Sequence, residues 1–156
     1  MTAPAFSLAD QNGTTRTLKQ YAGRPVVLFF YPKDDTPGCT KEACAFRDML
    51  PKFDDQRAVI LGVSPDDSAS HAAFVEKFDL NFALLADPPA ADGASPSTCD
   101  AYGVWGERSL HGKKIMGVAR TTFLINGDGV IHKRWDDVRV DGHAEDVFDE
   151  VTAMLG

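Results

Sequence analysis

The sequence predicts an α/β fold in which helices cover both faces of a central mixed β-sheet. Two unbroken apolar runs, residues 26–31 and 58–64, have the length of strands and no polar alternation, as expected of strands buried on both faces. A helical pattern follows each run, and strands that alternate with helices indicate crossover units. With 156 residues, the chain can bury one hydrophobic core and is too short for two ordinary domains. We therefore expect a single domain over residues 1–156.

Turn and cap signals predict the elements of the N-terminal half. The dipeptide Asn12-Gly13 is a strong turn signal and predicts an N-terminal β-hairpin over residues 6–18. Apolar residues recur at helical spacing over residues 43–53, which predicts a helix that Pro51 should kink or interrupt. A second helix should follow the second apolar run and end near Phe78.

The C-terminal half should complete the sheet and close with a helix. Residues 87–97 are rich in Pro, Ala, Gly and Ser and predict a loop, followed by a short helix over residues 98–102. Residues 121–125 and 130–135 predict two antiparallel strands joined by a Gly-rich turn. An amphipathic pattern predicts a last helix over residues 143–154.

Composition excludes several classes of function. A net charge of −7 without a basic stripe argues against a nucleic-acid partner. No apolar run approaches the roughly eighteen residues of a membrane span. Three cysteines, an odd count, fit working thiols in a reducing compartment better than a disulfide-stabilised secreted fold. The first residues lack the features of a secretion signal, so we expect a cytoplasmic protein.

The loop after the first apolar run brings Cys39 to the start of a helix, where chemistry is expected. The first backbone N–H groups of a helix lack internal partners and carry partial positive charge, which favours a thiolate, the nucleophilic form of cysteine. Cys44 lies five residues further along the same helix. Cα atoms at this spacing are about 8.6 Å apart in an ideal helix, whereas a disulfide requires less than about 7 Å. If the two thiols pair, the first turn must unwind.

The residues around Cys39 resemble a known active site. The pattern is Pro32-x-x-x-Thr36-x-x-Cys39, followed by Lys41-Glu42-Ala43-Cys44 and Phe46-Arg47-Asp48. It resembles the active-site segment of the peroxiredoxin Q family, also called the bacterioferritin comigratory protein family, and the resemblance extends over nearly the whole chain.

The resemblance implies a thioredoxin-like fold and a thiol peroxidase. Cys39 would reduce hydrogen peroxide or an alkyl hydroperoxide and become a sulfenic acid, which Cys44 would convert into an intramolecular disulfide. Thioredoxin or a related dithiol protein would then reduce the disulfide. The family needs no cofactor, and we expect a monomer.

The resemblance also assigns roles to three further residues. Helix-end charge contributes only about 0.3–1 kcal/mol, so a cation is needed beside the sulfur, and Arg120 occupies the position of the family's active-site arginine. Without the resemblance it could equally be a surface residue at a strand end. Thr36 should bind the peroxide through its hydroxyl, although turn residues of this kind are common. Pro32 should shape the loop and exclude water, or else simply end the strand. The charged side chains of Lys33, Asp34 and Asp35 are expected to be solvated.

Three alternative functions remain open at the level of sequence. A thiol–disulfide oxidoreductase on the same fold would carry Cys-x-x-Cys at the helix start, where this chain has Thr36-x-x-Cys39. A non-catalytic holdase module with a thioredoxin-like fold is compatible with the composition. Metal binding is disfavoured because the four histidines are scattered without ligand spacing. Cys99 lies in the segment that departs from the family, and we expect it to be dispensable.

Overall fold

The computed structural model describes the backbone of residues 1–156 and all side chains except that of Leu110. The strands are β1 Ser7–Ala9, β2 Thr15–Thr17, β3 Val26–Phe30, β4 Val59–Ser64, β5 Ala83–Ala86, β6 Trp105–Leu110, β7 Lys113–Val118, β8 Thr121–Ile125 and β9 Ile131–Trp135. The helices are α1 Pro37–Asp55, α2 Ser68–Phe78, α3 Ser97–Ala101 and α4 His143–Leu155, with a 3-10 turn at Leu18–Tyr21.

Seven strands form one mixed sheet in the order β2-β1-β5-β4-β3-β8-β9. Strand β3 lies beside β4 in parallel and beside β8 in antiparallel orientation. Strand β5 is parallel to β4, while β1 and β9 join at either side in antiparallel pairs. This is the mixed α/β sheet, with its N-terminal hairpin, that the sequence predicts.

Alternating side chains of β3 divide the core into two layers. Val27 and Phe29 face a layer formed with α1, α2 and α4. Val26, Leu28 and Phe30 face the opposite layer, which contains α3 and the N-terminal segment. Because both faces of β3 are covered, its sequence is apolar without alternation. The loop that leads to α1 therefore starts from a strand that is fixed on both faces.

Helix α1 differs from one part of the sequence prediction, since Pro51 does not interrupt it and it continues through this residue to Asp55. Phe46 and Phe53 are fully buried on either side of Pro51, and their packing against the sheet offsets the backbone hydrogen bond that a proline removes. Pro51 itself is exposed.

A second difference is a separate two-stranded sheet formed by β6 and β7, which the sequence analysis did not predict. His111 and Gly112 connect its strands, both with positive φ (51° and 78°), as a tight two-residue hairpin turn requires. Over the part of the chain that the structure describes, no helix is long and apolar enough to cross a bilayer.

Candidate active site

Cys39 is the third residue of α1 and is 1% exposed. Pro37 occupies the first helical position, where its fixed φ and missing N–H are favourable. The first helical hydrogen bond runs from Thr40 N–H to Thr36 O at 2.8 Å, so the N–H groups of Gly38 and Cys39 precede the internal ladder of the helix. The sulfur therefore lies at the positive end of the helix dipole.

Arg120 reaches the sulfur from the sheet. Its Nη2 atom lies 3.3 Å from Cys39 Sγ, and its Nη1 atom donates to Glu42 Oε1 at 2.8 Å. The residue immediately precedes β8, which pairs with β3 so that Thr121 lies opposite Phe30. Because β3 also leads into the Cys39 loop, the sheet itself brings the arginine and the cysteine together.

Two local features fix the guanidinium in this position. The backbone carbonyl of Arg120 accepts a hydrogen bond from Val138 N–H at 3.1 Å, which anchors the residue to the segment after β9. Gly38 provides the space, because a Cβ atom there would lie 3.1 Å from Arg120 Nη2. Such a contact is tighter than most side chains tolerate, so a larger residue at position 38 would push the guanidinium away.

Glu42 is a site residue that the sequence analysis did not single out. Its carboxyl is 1% exposed, and burial raises its pKa to about 7 although Arg120 acts in the opposite direction. Oε2 of Glu42 has no hydrogen-bond partner among the described residues. The sequence did contain a signal for Glu42, because it lies three residues after Cys39 and residues three apart share one face of a helix. Glu42 and Cys39 therefore contact the two terminal nitrogens of one guanidinium.

Cys44 is half-buried in the second turn of the same helix. All three cysteines are unpaired, and α1 is continuous from Pro37 through Cys44. At about 8.6 Å between Cα atoms, Cys39 and Cys44 cannot form a disulfide until the helix opens.

Thr36 and Pro32 lie on the loop that precedes α1. The Thr36 hydroxyl donates to Lys33 O at 2.9 Å and does not cap the helix. Its proton is therefore occupied, and its lone pairs are what it offers to a ligand. Pro32 follows β3 after one residue and is half-buried.

Comparison with known proteins identifies the chain. Residues 1–134 match the sequence profile described as the AhpC/TSA family. Peroxiredoxin Bcp of Bacillus subtilis is 41% identical over 152 residues, which cover 97% of this chain and 93% of the relative. Peroxiredoxin Bcp of Escherichia coli is 40% identical over 146 residues, covering 94% and 90%. This chain belongs to the peroxiredoxin Q group of the AhpC/TSA family.

A solved structure supports the same assignment. The bacterioferritin comigratory protein of Xanthomonas campestris, described in connection with its alkyl peroxide reduction activity, superposes with a TM-score of 0.86 at 39% identity. The alignment covers 97% of this chain and 92% of that chain. The thioredoxin-like fold is thereby confirmed, and the chain is a thiol peroxidase.

In this peroxiredoxin a buried polar network lies behind the Cys39 loop, and it corrects one expectation. Asp34 is 7% exposed, whereas the sequence analysis placed it among solvated loop charges. Its carboxylate accepts hydrogen bonds from Tyr31 Oη at 2.6 Å and Ser70 Oγ at 2.8 Å, and it pairs with His71 Nδ1 at 2.7 Å. A carboxylate can be buried when its oxygens are satisfied in this way. Lys33 and Asp35 are exposed as expected.

The same network contains the side chains most suited to a metal, since ligand atoms of Asp34, Asp66 and His71 lie within 4.8 Å of one another. Both ring nitrogens of His71 are already engaged, Nδ1 with Asp34 and Nε2 with Leu85 O at 3.0 Å. A metal binds histidine through the lone pair of a ring nitrogen, so it would have to displace one of these two hydrogen bonds. The arrangement is therefore that of a hydrogen-bond network rather than a metal centre.

Cys99 lies in the core layer on the other face of the sheet from Cys39. Its backbone N–H donates to Asp87 Oδ2 at 2.7 Å. Burial, with the nearby Asp87 carboxylate as a second cause, raises the pKa of the Cys99 thiol far above its ordinary range. A fully buried thiol of this kind is unreactive.

Proposed function

We propose that this peroxiredoxin reduces hydrogen peroxide and alkyl hydroperoxides with Cys39 as the peroxidatic thiol and Cys44 as the resolving thiol. The observation that carries the proposal is the 3.3 Å approach of Arg120 Nη2 to Cys39 Sγ at the first turn of a helix. A charge-assisted hydrogen bond adds about 1.5–3 kcal/mol to what a helix end supplies alone. Together these favour the thiolate.

In the first step, the Cys39 thiolate attacks the terminal oxygen of the peroxide. The S–O bond forms as the O–O bond breaks, and the departing alkoxide or hydroxide takes up a proton to leave as alcohol or water. Arg120 and the N–H groups of Gly38 and Cys39 stabilise the negative charge as it moves from sulfur to the leaving oxygen. Thr36 Oγ1 accepts a hydrogen bond from the peroxide O–H, since its own proton is held by Lys33 O. Pro32 shields the sulfur from water.

In the second step, Cys44 loses its thiol proton and attacks the sulfenic sulfur of Cys39; the S–S bond forms as the S–O bond breaks, and the hydroxyl leaves with that proton as water. This step requires the first turns of α1 to unwind, because the helical spacing is too long for a disulfide. Thioredoxin or a related dithiol protein then reduces the disulfide by thiol–disulfide exchange and becomes oxidised itself.

We also propose how the protein operates in the cell. Three unpaired thiols and a dithiol reductant suit the reducing cytoplasm. Residues 1–156 would act as one domain and as a monomer, since the large apolar side chains that are exposed among the described residues are few, namely Met1, Ile115, Met116 and Leu155.

The test is peroxide-dependent oxidation of NADPH in the presence of thioredoxin and thioredoxin reductase. Wild-type protein should sustain turnover with both hydrogen peroxide and an alkyl hydroperoxide. Cys39→Ser should lose the reaction, whereas Cys44→Ser should react once with peroxide and then fail to turn over with thioredoxin. Sustained turnover by Cys39→Ser would refute the assignment of the peroxidatic thiol.

A further inference from the structure

The loop of residues 31–36 connects β3 to α1 and determines where the active-site groups lie. It carries Pro32 and Thr36, and Cys39 follows directly on the helix. Asp35 in this loop has a φ of 57°, in the left-handed region that aspartate tolerates better than most non-glycine residues. Connecting loops are ordinarily exposed and mobile, so this loop needs a specific anchor.

The anchor is Asp34, which joins the loop to α2 and to the connection that precedes α2. Its carboxylate is bonded to Tyr31 at the start of the loop and to Ser70 and His71 in α2, at 2.6–2.8 Å. Its backbone N–H donates to Asp66 Oδ2 at 2.8 Å, in the connection between β4 and α2. A carboxylate that accepts several hydrogen bonds in a buried site is held in one orientation.

His71 connects Asp34 to the sheet through its two ring nitrogens. Its side chain is 0% exposed, and its Nε2 atom is 3.0 Å from Leu85 O in β5. A carbonyl oxygen only accepts, so Nε2 carries a proton. Nδ1 lies 2.7 Å from Asp34 Oδ2, within hydrogen-bond distance. The loop is therefore tied through one imidazole ring to a central strand.

Phe46 lies at the far end of the part of α1 that is proposed to unwind. It is 0% exposed and stacks on Phe29 of β3 with ring centroids 4.9 Å apart. The turns of α1 that must unwind between Cys39 and Cys44 thus lie between two fixed points, Asp34 before them and Phe46 after them. After each catalytic cycle the helix has to reform with Cys39 in the same place relative to Thr36 and Arg120.

We propose that Asp34 and His71 are positioning residues for peroxide reduction. Neither side chain is hydrogen-bonded to Cys39; they act by holding the loop so that Thr36 and the N–H groups at the start of α1 meet the peroxide in reactive geometry. The inference rests on the proposed role of Cys39 as peroxidatic thiol. Displacement of such groups by about 1 Å can lower a reaction rate by roughly a hundredfold.

The test compares two reactions of Cys39 in the reduced protein. Oxidation by hydrogen peroxide, followed by stopped flow, depends on the alignment of Thr36 and the backbone donors. Alkylation by iodoacetamide measures how readily the reagent reaches and reacts with the Cys39 sulfur, and it involves neither Thr36 nor a leaving peroxide oxygen. Asp34→Asn and His71→Leu should slow oxidation by roughly tenfold to a hundredfold and leave alkylation within about threefold of wild type.

Matched variants separate positioning from stability. His71→Asn retains an N–H near the position of Nδ1 and should recover most of the oxidation rate that His71→Leu loses. Asp10→Asn is the control for loss of a buried carboxylate elsewhere, because Asp10 is 0% exposed and is bonded to Asn12 N–H and Arg16 within the N-terminal hairpin. It should lower thermal stability without selective loss of the peroxide reaction.

The outcomes distinguish this inference from the proposed function. Equal slowing of oxidation and alkylation in Asp34→Asn, or slowing of neither, would overturn the positioning role. Peroxidase activity in Cys39→Ser would instead overturn the proposed function. If Asp34→Asn does not fold, Ser70→Ala is used instead, because it removes a single half-buried donor to Asp34. The positioning role then requires Ser70→Ala to slow oxidation several-fold while alkylation is retained.

Discussion

Glu42 Oε1 accepts a 2.8 Å hydrogen bond from Nη1 of Arg120, whose Nη2 lies 3.3 Å from Cys39 Sγ. One guanidinium is thus shared between a buried carboxyl and the candidate nucleophile. An ionised Glu42 stabilises the position of Arg120, but its negative charge also offsets part of the positive charge that Arg120 presents to Cys39. The protonation of Glu42 and the reactivity of Cys39 are therefore linked through Arg120.

Replacing Arg120 should make Cys39 much less reactive at neutral pH. Arg120 Nη2 lies 3.3 Å from Cys39 Sγ, and a hydrogen bond to a charged group is worth about 1.5–3 kcal/mol. The alkylation rate of Cys39 in Arg120→Met should therefore fall by roughly tenfold to a hundredfold. Iodoacetamide labelling followed by mass spectrometry measures the rate. Arg24→Met is the control, since Arg24 donates to the backbone of Arg57 and not to Cys39. Equal rates in wild type and Arg120→Met would remove Arg120 from the mechanism.

Glu42 should make the protein less stable as the pH rises through neutrality. Its pKa is about 7 in the folded protein and ordinarily 4.5, so between these values the folded state binds the extra proton. The free energy of unfolding therefore decreases with increasing pH across this window, by on the order of 3 kcal/mol. At pH values below 4.5 the stabilisation from Glu42 is fully present, and at pH values above about 7 it is lost.

Glu42→Gln cannot ionise and should remove this slope. The measurement is the free energy of unfolding from denaturant titrations at about pH 5 and about pH 8, for the variant and for wild type. The difference between the two proteins at each pH gives the contribution of Glu42. Glu145→Gln, which alters an exposed carboxyl on α4, should follow the wild-type profile. A Glu42→Gln profile parallel to that of wild type would show that Glu42 does not titrate in this range.

Cys99→Ser should turn over peroxide within a few-fold of wild type. Cys99 is in the core layer opposite Cys39, and serine keeps a donor beside Asp87. Steady-state NADPH oxidation with thioredoxin is the measurement, with Cys44→Ser as the inactive reference. A loss of turnover as large as that of Cys44→Ser would show that the wrong resolving thiol was chosen.

The sheet and the main helices could be predicted because their signals are local. Apolar runs and helical periodicity gave β3, β4 and α1, and the structure agrees to within a few residues. The hairpin of β6 and β7 was missed because its strands mix polar residues with glycine and lie outside the main sheet. The dipeptide His111-Gly112 was its one local signal, and it is weaker than Asn-Gly.

The candidate site was predictable where its residues are close in sequence or match the family pattern. Cys39, Thr36 and Pro32 share one short segment, and Arg120 was found by resemblance. The pairing of Asp34 with His71 could not be predicted, since the two residues are 37 positions apart and meet only because β3, β4 and β5 are adjacent in the sheet. Charged loop residues are usually solvated, and that general rule gave the wrong expectation for Asp34.

The last prediction is that oxidation unwinds the start of α1 and that the resulting disulfide protects Cys39 from further oxidation. Sulfenic Cys39 carries no negative charge, so it loses most of its attraction to Arg120, while the spacing to Cys44 still exceeds the reach of a disulfide. The short segment before Phe46 is only marginally stable as a helix without its packing. Cys44 should therefore capture the sulfenic acid before a second peroxide converts it to sulfinic acid.

Hydrogen exchange on the reduced and oxidised protein should show loss of protection over residues 39–46, with the rest of α1 beyond Phe46 retained. Helix α4 serves as the internal control, because its protection should not change. At modest peroxide excess the intact mass should decrease by about two hydrogens, rather than increase by added oxygen. Cys44→Ser should accumulate sulfinic Cys39 under the same conditions. Full protection of the first turns in the oxidised protein, or rapid formation of sulfinic Cys39 in wild type, would contradict the proposed movement, because both would mean that Cys44 does not reach the sulfenic sulfur in time.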